Sequence, residues 1–387
     1  MGFLLALSCA FILYGTLYPF NFNFGLHEES AFALLMASVH DRDSYGDMLA
    51  NVILFLPFGF FAMQSLLPRT PKLVRLILIA VMGAALSLTV ECLQSGLPGR
   101  VTSVYDLTTN TAGALFGAVL GWNDWREKLA RFRPDHRPPV LFPFLLLGAW
   151  LSTRLFPFLP TLDVQNVKNA LKPLFFAGFS PVDTLRYFII TMVVCRLARA
   201  LTVPGNVRTA AAFLPLAIIA AKPFIEGRVI SQAEIVGTLI GLAVWWCISG
   251  RIRPSTILLA LLLTAQIVIQ ELEPFVFSPK PVSSFSVIPF SGLIAGSEIN
   301  GLMWLLEKMF LYGSLVWLLL KAGGSLRFSV ICSVALLTIL EIIQIFLPGR
   351  VSEITDPLLA AILGLVLYFL DLRDQTGRQV GRSARPV

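Results

Sequence analysis

Charged residues are scarce in this sequence, at 14% of its 387 residues, whereas a soluble domain carries about 25%. Hydrophobic residues make up 56%, and their runs are too many and too long for the core of a water-soluble protein. Runs of roughly 18 or more apolar residues are typical of membrane-spanning helices. The composition therefore predicts an all-α, polytopic membrane protein.

Residue patterns that hold metals or cofactors are also missing. The three histidines are isolated, and no pair among the five cysteines has a zinc or redox spacing. There is no Ser-His-Asp set, Gly-rich nucleotide loop or two-His metal motif. We expect no cofactor and no metal. The net charge of +7 does not indicate nucleic acid, because the basic residues lie mostly in short connections between apolar runs, as membrane topology predicts.

The apolar runs fall into three sets of four, which predicts about twelve transmembrane helices. In chain order the predicted spans are 3–19, 47–67, 73–94, 105–122, 140–159, 182–202, 208–225, 233–249, 255–272, 299–320, 327–347 and 355–371. The first run has no positively charged start and no clear cleavage site, so we interpret it as a retained span.

Each set is predicted to be one four-helix repeat of about 125 residues. The expected organisation is repeats at 1–125, 138–250 and 254–372, followed by a cytoplasmic tail at 373–387. Because four is an even number of crossings, the repeats would share one orientation. Of the 30 Lys and Arg residues, nineteen lie on one predicted side and eleven on the other. The positive-inside rule then places both termini in the cytoplasm.

One short string marks the connection between the third and fourth helix of each set. It reads "LPGRVTSVYD" at 97–106, "IEGRVISQAE" at 225–234 and "LPGRVSEITD" at 347–356. In each copy an acid follows the Arg by six residues, giving the pairs Arg100 and Asp106, Arg228 and Glu234, and Arg350 and Asp356.

Part of the string has a local explanation. Its Gly suits the left-handed end of a helix, and Ser103 and Ser231 stand three residues before an acid, which is the spacing of a capping box. These residues predict a turn and a helix cap at the outer face of the membrane. Neither feature requires a guanidinium group.

Polar residues upstream of the string point to a site. Glu91 and Gln94 share a helix face near the outer end of a span, and Glu341 and Gln344 repeat this arrangement. An ionisable group within a span is costly and indicates function. The second set has Ile219 and Lys222 there and is interpreted as degenerate. The full candidate set comprises binding residues Asp47, Asn51, Gln94, Arg100, Asp106 and Asn110, the general acid or base Glu91, and a second copy at Glu341, Gln344, Arg350 and Asp356.

Two interpretations of these residues stay open. In one, they form an internal network of ion pairs and amide hydrogen bonds. Glu91 would then pair with Arg100, Glu341 with Arg350, and Lys308 with Glu307 or Glu341. In the other, they line an outward-facing polar pocket. Arg offers a planar fork for phosphate or carboxylate, and the acids and amides suit sugar hydroxyls or amide groups. A lipid-linked cell-wall or polysaccharide precursor fits that mixture.

Three stretches of the first set resemble the VanZ-like family of bacterial membrane proteins. They are "YGTLYPFNF" at 14–22, "DMLANVILFLPFGFF" at 47–61 and "ECLQSGLPGRVTSVYDLTTNTAGALFGAVLGW" at 91–122. The third set keeps "EIIQIFLPGR" and Asp356, but has Ala360 in place of the equivalent of Asn110. The resemblance implies a multi-pass protein of the bacterial inner membrane that is connected with the cell envelope. The family takes its name from a member linked to teicoplanin resistance, so the resemblance also implies a link to glycopeptide resistance of this type.

Four functions compete at this point. The protein could bind a lipid-linked or surface polymer, with membrane lipid as its other partner. It could be a hydrolase or transferase that uses Glu91 and Arg100. Twelve spans suggest a small-solute transporter, although three sets do not fit the usual plan of two halves. Complete internal pairing of the polar residues would indicate a scaffold without a ligand.

Overall fold

The computed structural model describes residues 2–18, 20–24, 31–38, 45–66, 70–98, 102–122, 141–201, 207–248, 252–290 and 298–383. Within these ranges the regular structure is helical, with two isolated β-bridges and no strand. The helices are α1 Gly2–Leu17, α2 Ala31–Ala37, α3 Tyr45–Ser65, α4 Lys72–Gln94, α5 Val104–Leu120, α6 Leu141–Leu155, α7 Val164–Leu171, α8 Pro173–Phe176, α9 Pro181–Leu201, α10 Val207–Ala221, α11 Gln232–Ile248, α12 Ile252–Leu272, α13 Glu298–Lys321, α14 Leu326–Gln344 and α15 Thr355–Ser383.

The all-α class is confirmed, and a helix lies over every segment predicted to be a span. Four helical segments of the described chain are long and apolar enough to cross a membrane: Asp47–Ser65, Lys72–Gln94, Gly301–Lys321 and Leu326–Gln344. Other apolar helices, such as Gly2–Leu17 and Thr355–Leu370, are shorter. The membrane character of the chain therefore follows from these helices, while twelve crossings stay a prediction.

One predicted boundary needs correction, and one predicted span is more polar than the others. The bounds of α9 agree with the predicted span to within one residue, but α9 is not among the candidate spans, because it carries Asp183, Arg186, Arg196 and Arg199. The last helix does not end near residue 371, since α15 continues to Ser383 through most of the predicted tail. The short helices α2, α7 and α8 were not predicted; they lie in the connections that precede the second helix of the first and second sets.

The chain packs as two compact units. One comprises Met1–Phe132 with Ile294–Leu302, and the other comprises Arg133–Leu293 with Met303–Val387. In the first unit α5 packs along α3 and α4 around a buried apolar core that includes Phe55, Ile79 and Ala114. The second unit holds the second helix set and, apart from Ile294–Leu302, the third. Tyr312 and Trp317 are among its largest fully buried side chains.

Glycines allow the fourth helix of a set to approach the second very closely. In the first set a Cβ added to Gly117 would lie 2.0 Å from the carbonyl oxygen of Leu56. In the second set a Cβ added to Gly237 would lie 2.4 Å from the carbonyl oxygen of Thr184. Small residues are the usual means of bringing membrane helices into backbone contact, because lipid supplies no hydrophobic drive for their association.

Candidate functional site

The first helix of each set ends in the same unusual turn. A phenylalanine there has a left-handed backbone, with φ of 61° at Phe20, 60° at Phe158 and 61° at Phe275. Such a φ is uncommon for a bulky residue and persists only where surrounding contacts hold it. The turn therefore has to be held by other parts of the set, and the Gly-Arg-Val string provides the contacts.

A backbone hydrogen bond joins this turn to the string in every set. The N–H three residues after the phenylalanine donates to the carbonyl oxygen four residues before the Arg. The pairs are Asn23 with Gly96 at 2.6 Å, Thr161 with Phe224 at 2.9 Å, and Ser278 with Phe346 at 2.9 Å. Within each set, the end of the first helix is thus fastened to the end of the third.

The Arg of the string binds the same turn. Both Nε and Nη2 of Arg350 donate to the carbonyl oxygen of Glu273, at 3.2 and 2.8 Å. Nη2 also donates to the carbonyl oxygen of Gln270 at 2.8 Å. Arg228 donates from Nε to the carbonyl oxygen of Phe156. These guanidinium groups satisfy carbonyl groups that the end of a helix leaves without partners. Arg100 lies outside the described residues.

These contacts explain why the turn carries a guanidinium. They also show that the proposed ion pair between Glu341 and Arg350 is wrong, because Arg350 binds carbonyl oxygens and Glu341 binds a backbone N–H. The glycines behave as predicted at Gly227 and Gly349, whose φ values are 71° and 81°.

The upstream glutamates hold the string in place. Oε2 of Glu91 accepts from the backbone N–H of Ser103 at 3.0 Å, and Oε2 of Glu341 accepts from that of Glu353 at 2.9 Å. Both acceptors stand nine residues before the Arg and both donors three residues after it. The two carboxylates are almost fully buried, at 1% and 3% exposure. Each therefore supports a buried backbone group that would otherwise lack an acceptor.

The upstream glutamines reach the first helix of their own set. Nε2 of Gln94 donates to the carbonyl oxygen of Thr16 at 3.0 Å. Nε2 of Gln344 donates to the carbonyl oxygen of Glu271 at 3.1 Å and to its Oε2 at 3.0 Å. Thr16 and Glu271 both precede the left-handed phenylalanine by four residues.

The capping box is confirmed only on its serine side. The Ser103 hydroxyl accepts from the backbone N–H groups of Tyr105 and Asp106, and the Ser231 hydroxyl accepts from that of Glu234. In a capping box the acid accepts from the backbone N–H of the serine, but the Ser103 N–H donates to Glu91. The acids instead bind partners outside the string.

Each of these acids has a partner on another segment of its own set. Oδ1 of Asp106 accepts from Nδ2 of Asn51 at 2.6 Å. Lys222 lies 2.5 Å from Oε1 of Glu234, and Lys308 lies 2.5 Å from Oδ2 of Asp356.

Among the described residues of the first set, two buried polar side-chain atoms have no hydrogen-bond partner, Nε of Arg75 and Oδ1 of Asn110. Asn110 is 2% exposed and its Nδ2 donates to the Ser87 hydroxyl at 3.0 Å. Its Oδ1 is buried and accepts no hydrogen bond from the part of the chain that the structure describes. Asn110 lies one helical turn after Asp106, so this oxygen belongs to the same polar region of α5. Asp47 lies in the first turn of α3, one turn before Asn51.

The third set forms a denser buried network. The Lys308 ammonium contacts Oδ2 of Asp356 at 2.5 Å and Oε1 of Glu271 at 3.4 Å. The Tyr312 hydroxyl bonds to Oε1 of Glu271 at 3.0 Å and also to Oδ2 of Asp356. Glu307 was one of two proposed partners for Lys308, but it pairs with Arg186.

Sequence reasoning missed several members of these clusters. Glu271 could have been found as a carboxylate at the end of a predicted span. Ser87 and Tyr312 gave no signal, because single hydroxyl groups are common in membrane helices. Within the described ranges, no group of three or more His, Cys, Asp or Glu residues could hold a metal ion.

Comparison with known proteins gives one match. Residues 3–124, the first third of the chain, match the model of the VanZ/LLP1 family. The resemblance inferred from the sequence is thus confirmed for the first helix set. No curated protein and no solved structure matches the chain.

Proposed function

We propose that this VanZ-like membrane protein binds the polar headgroup of a lipid-linked or cell-surface polymer through its first helix set. The proposed site contains Asn51, Asp106 and Asn110, with Asp47 at its margin; Arg100, also predicted from the sequence, lies outside the described residues. It faces outward from a multi-pass protein of the bacterial cytoplasmic membrane whose termini are both cytoplasmic. The family match over residues 3–124 supports a role in the cell envelope, and glycopeptide resistance of the teicoplanin type is the setting that the family name suggests.

The unpartnered Oδ1 of Asn110 carries this proposal. A buried amide oxygen without a donor costs about 1–3 kcal/mol, so the folded chain gains if a ligand supplies that donor. Hydroxyl and amide groups of a sugar or peptide headgroup are suitable donors. Asn51 and Asp106 add an amide and a carboxylate to the same region, and Nδ2 of Asn51 lies 2.6 Å from Oδ1 of Asp106.

A repeated architecture is the second part of the proposal. We take residues 1–125, 138–250 and 254–372 as three parallel repeats. The left-handed phenylalanine and the hydrogen bond from its turn to the string recur in all three. The glutamate and glutamine contacts recur in the first and third. Recurrence of non-local contacts at equal offsets supports descent of the three sets from one unit.

A binding measurement tests the site. The full chain in nanodiscs is titrated with an undecaprenyl-linked sugar, and undecaprenyl phosphate without the sugar serves as the reference lipid. We expect Asn110→Ala to weaken binding of the sugar-bearing lipid by about tenfold, the value of one well-placed hydrogen bond to a buried group. Asn169→Ala removes an exposed amide in α7 and should leave the affinity unchanged. Equal affinities of the wild-type chain and a folded Asn110→Ala chain would refute the proposed site.

An enzyme using Glu91 is the second candidate, because its carboxylate is buried among polar groups. The equivalent contact of Glu341 in the third set favours an anchoring role instead. Turnover of the undecaprenyl-linked sugar by the wild-type chain, lost in a folded Glu91→Gln chain, would establish the enzyme.

A further inference from the structure

Three cations lie together in the second helix set. Arg154 stands near the end of α6, Lys222 follows α10, and Arg228 belongs to the string. Both arginines interact electrostatically with Lys222 and with each other. In Arg228, which lies outside the helices, burial lowers the pKa of the guanidinium, and the nearby charge of Arg154 lowers this pKa further.

Only one of these cations is neutralised by the described residues. The Lys222 ammonium binds both carboxylate oxygens of Glu234, at 2.5 and 2.6 Å, and the carbonyl oxygen of Val229 at 3.4 Å. Those three contacts use its three N–H donors. The positive charges of Arg154 and Arg228 therefore remain without a carboxylate partner in the part of the chain that the structure describes.

The two guanidinium groups also keep most of their donors available. Arg154 lies 5.1 Å from the centre of the Tyr187 ring, a stacking contact that fixes a guanidinium without using its N–H groups. Arg228 donates only from Nε, to the carbonyl oxygen of Phe156, among the described residues. In Arg350, its counterpart in the third set, Nη2 donates to two carbonyl oxygens.

The three cations occupy positions that can be compared with the other two sets by their sequence offsets. Arg154 precedes the left-handed Phe158 by four residues, where the other sets have Thr16 and Glu271. Lys222 precedes the string Arg by six residues, where the other sets have Gln94 and Gln344. The second set thus has cations at two positions where the other two sets have neutral or acidic side chains.

We propose that Arg154 and Arg228 of the second helix set form a binding site for a phosphate group, with the Lys222 ammonium adding to its positive potential. Planar guanidinium forks bind phosphate oxygens in pairs, and a phosphate monoester has enough oxygens to accept from two such forks. The phosphate supplies the negative charge that the two partly buried arginines lack. This site shares no residue with the headgroup site proposed for the first set and does not depend on it.

The test uses the full chain with two sources of phosphate. In one arm, detergent-solubilised protein is titrated with inorganic phosphate by calorimetry. In the other, retention of phosphatidic acid is measured in phosphatidylcholine nanodiscs. We expect saturable binding in at least one arm and a loss of at least about tenfold in Arg154→Gln, since a charge-assisted pair is lost. Binding of inorganic phosphate alone identifies a soluble ligand, and binding of phosphatidic acid alone identifies a lipid headgroup. Either result supports the site.

Two further variants keep the outcome decisive. Lys280→Gln makes the same charge change at an exposed residue outside the cluster and should bind phosphate as the wild-type chain does. If Arg154→Gln does not fold, Arg154→Lys keeps the charge but loses the fork, and should still weaken binding. The proposal is overturned by the absence of saturable binding in both arms, or by equal affinities of the wild-type chain and the Arg154 variants.

Discussion

The Glu91 carboxylate accepts a hydrogen bond from the backbone N–H of Ser103, twelve residues further along the chain. This bond joins the end of α4 to the N-cap of α5. The same relationship joins Glu341 to Glu353 in the third set. A buried acid within a membrane protein here has an identifiable structural task, which is to hold the connection that carries the Gly-Arg-Val string.

Substitutions of Glu91 should separate that task from acid–base chemistry. Glu91→Ala leaves the Ser103 N–H buried without an acceptor, which costs about 1–3 kcal/mol of folding free energy. Glu91→Gln keeps an acceptor oxygen and should cost less, about 1 kcal/mol. Unfolding of the purified chain in detergent measures both values. We expect the same order for Glu341→Ala and Glu341→Gln, and equal losses for Ala and Gln would contradict the anchoring role.

Close helix contact predicts a strong effect at Gly117. Its substitution by Ala places a Cβ 2.0 Å from the Leu56 carbonyl oxygen, so α3 and α5 must separate at a cost of about 1–3 kcal/mol or more. Gly15→Ala in α1 meets nothing within 4 Å and should be neutral or stabilising by up to about 1 kcal/mol. Thermal unfolding of both variants decides the matter, and a stable Gly117→Ala chain would exclude this packing.

The buried lysine of the third set predicts a strong dependence on its partner. Lys308→Met leaves Asp356 and Glu271 without their ammonium group, and loss of one member of a buried pair costs about 3–5 kcal/mol. The double variant Lys308→Met with Asp356→Asn should recover part of that loss. Denaturation in detergent provides the comparison.

The control for that experiment is the pair of Arg186 and Glu307, whose side chains are 30% and 34% exposed. Arg186→Met should cost only about 0–1 kcal/mol, because partly exposed ion pairs contribute little. Losses of equal size for Lys308→Met and Arg186→Met would show that burial does not set the strength of these pairs.

The proposed topology predicts which connections a reagent can reach. Lys280 follows the first helix of the third set and is expected outside, whereas Arg327 lies in the first turn of its third helix and is expected in the cytoplasm; both are exposed. In a chain whose five native cysteines are replaced, Lys280→Cys in intact cells should react with a membrane-impermeant maleimide. Arg327→Cys should react only after the cells are opened. The reverse pattern would invert the orientation.

Local patterns in the sequence were sufficient to place the long apolar helices, although not the short helices α2, α7 and α8. Apolar runs predicted the positions of helices such as α4 and α14 to within a few residues. Ser103 and Gly349 were correctly predicted as a cap and a left-handed stop, because these roles depend on the residue itself and its nearest neighbours. The end of α15 was missed, since its polar continuation lacks the hydrophobic signal used to define a span.

The candidate site was predicted in its residue types but not in its pairings. Glu91, Gln94, Asp106 and Asn110 were chosen as polar groups within apolar helices, and three of these four are almost fully buried; their role in binding stays a prediction. Their partners could not be derived, because the Ser103 N–H and the Thr16 carbonyl oxygen are backbone groups that every residue possesses.

The sequence by itself determined an all-helical membrane protein, a VanZ-like first third, and polar positions that recur at equal offsets. These properties follow from hydropathy and spacing, which are written along the chain. Only the tertiary structure decided that the string Arg binds helix-end carbonyl groups and that Lys222 is neutralised while Arg154 is not. Charge balance and hydrogen-bond partnership depend on which segments meet in space, and the distances that decide them exist only in the folded chain.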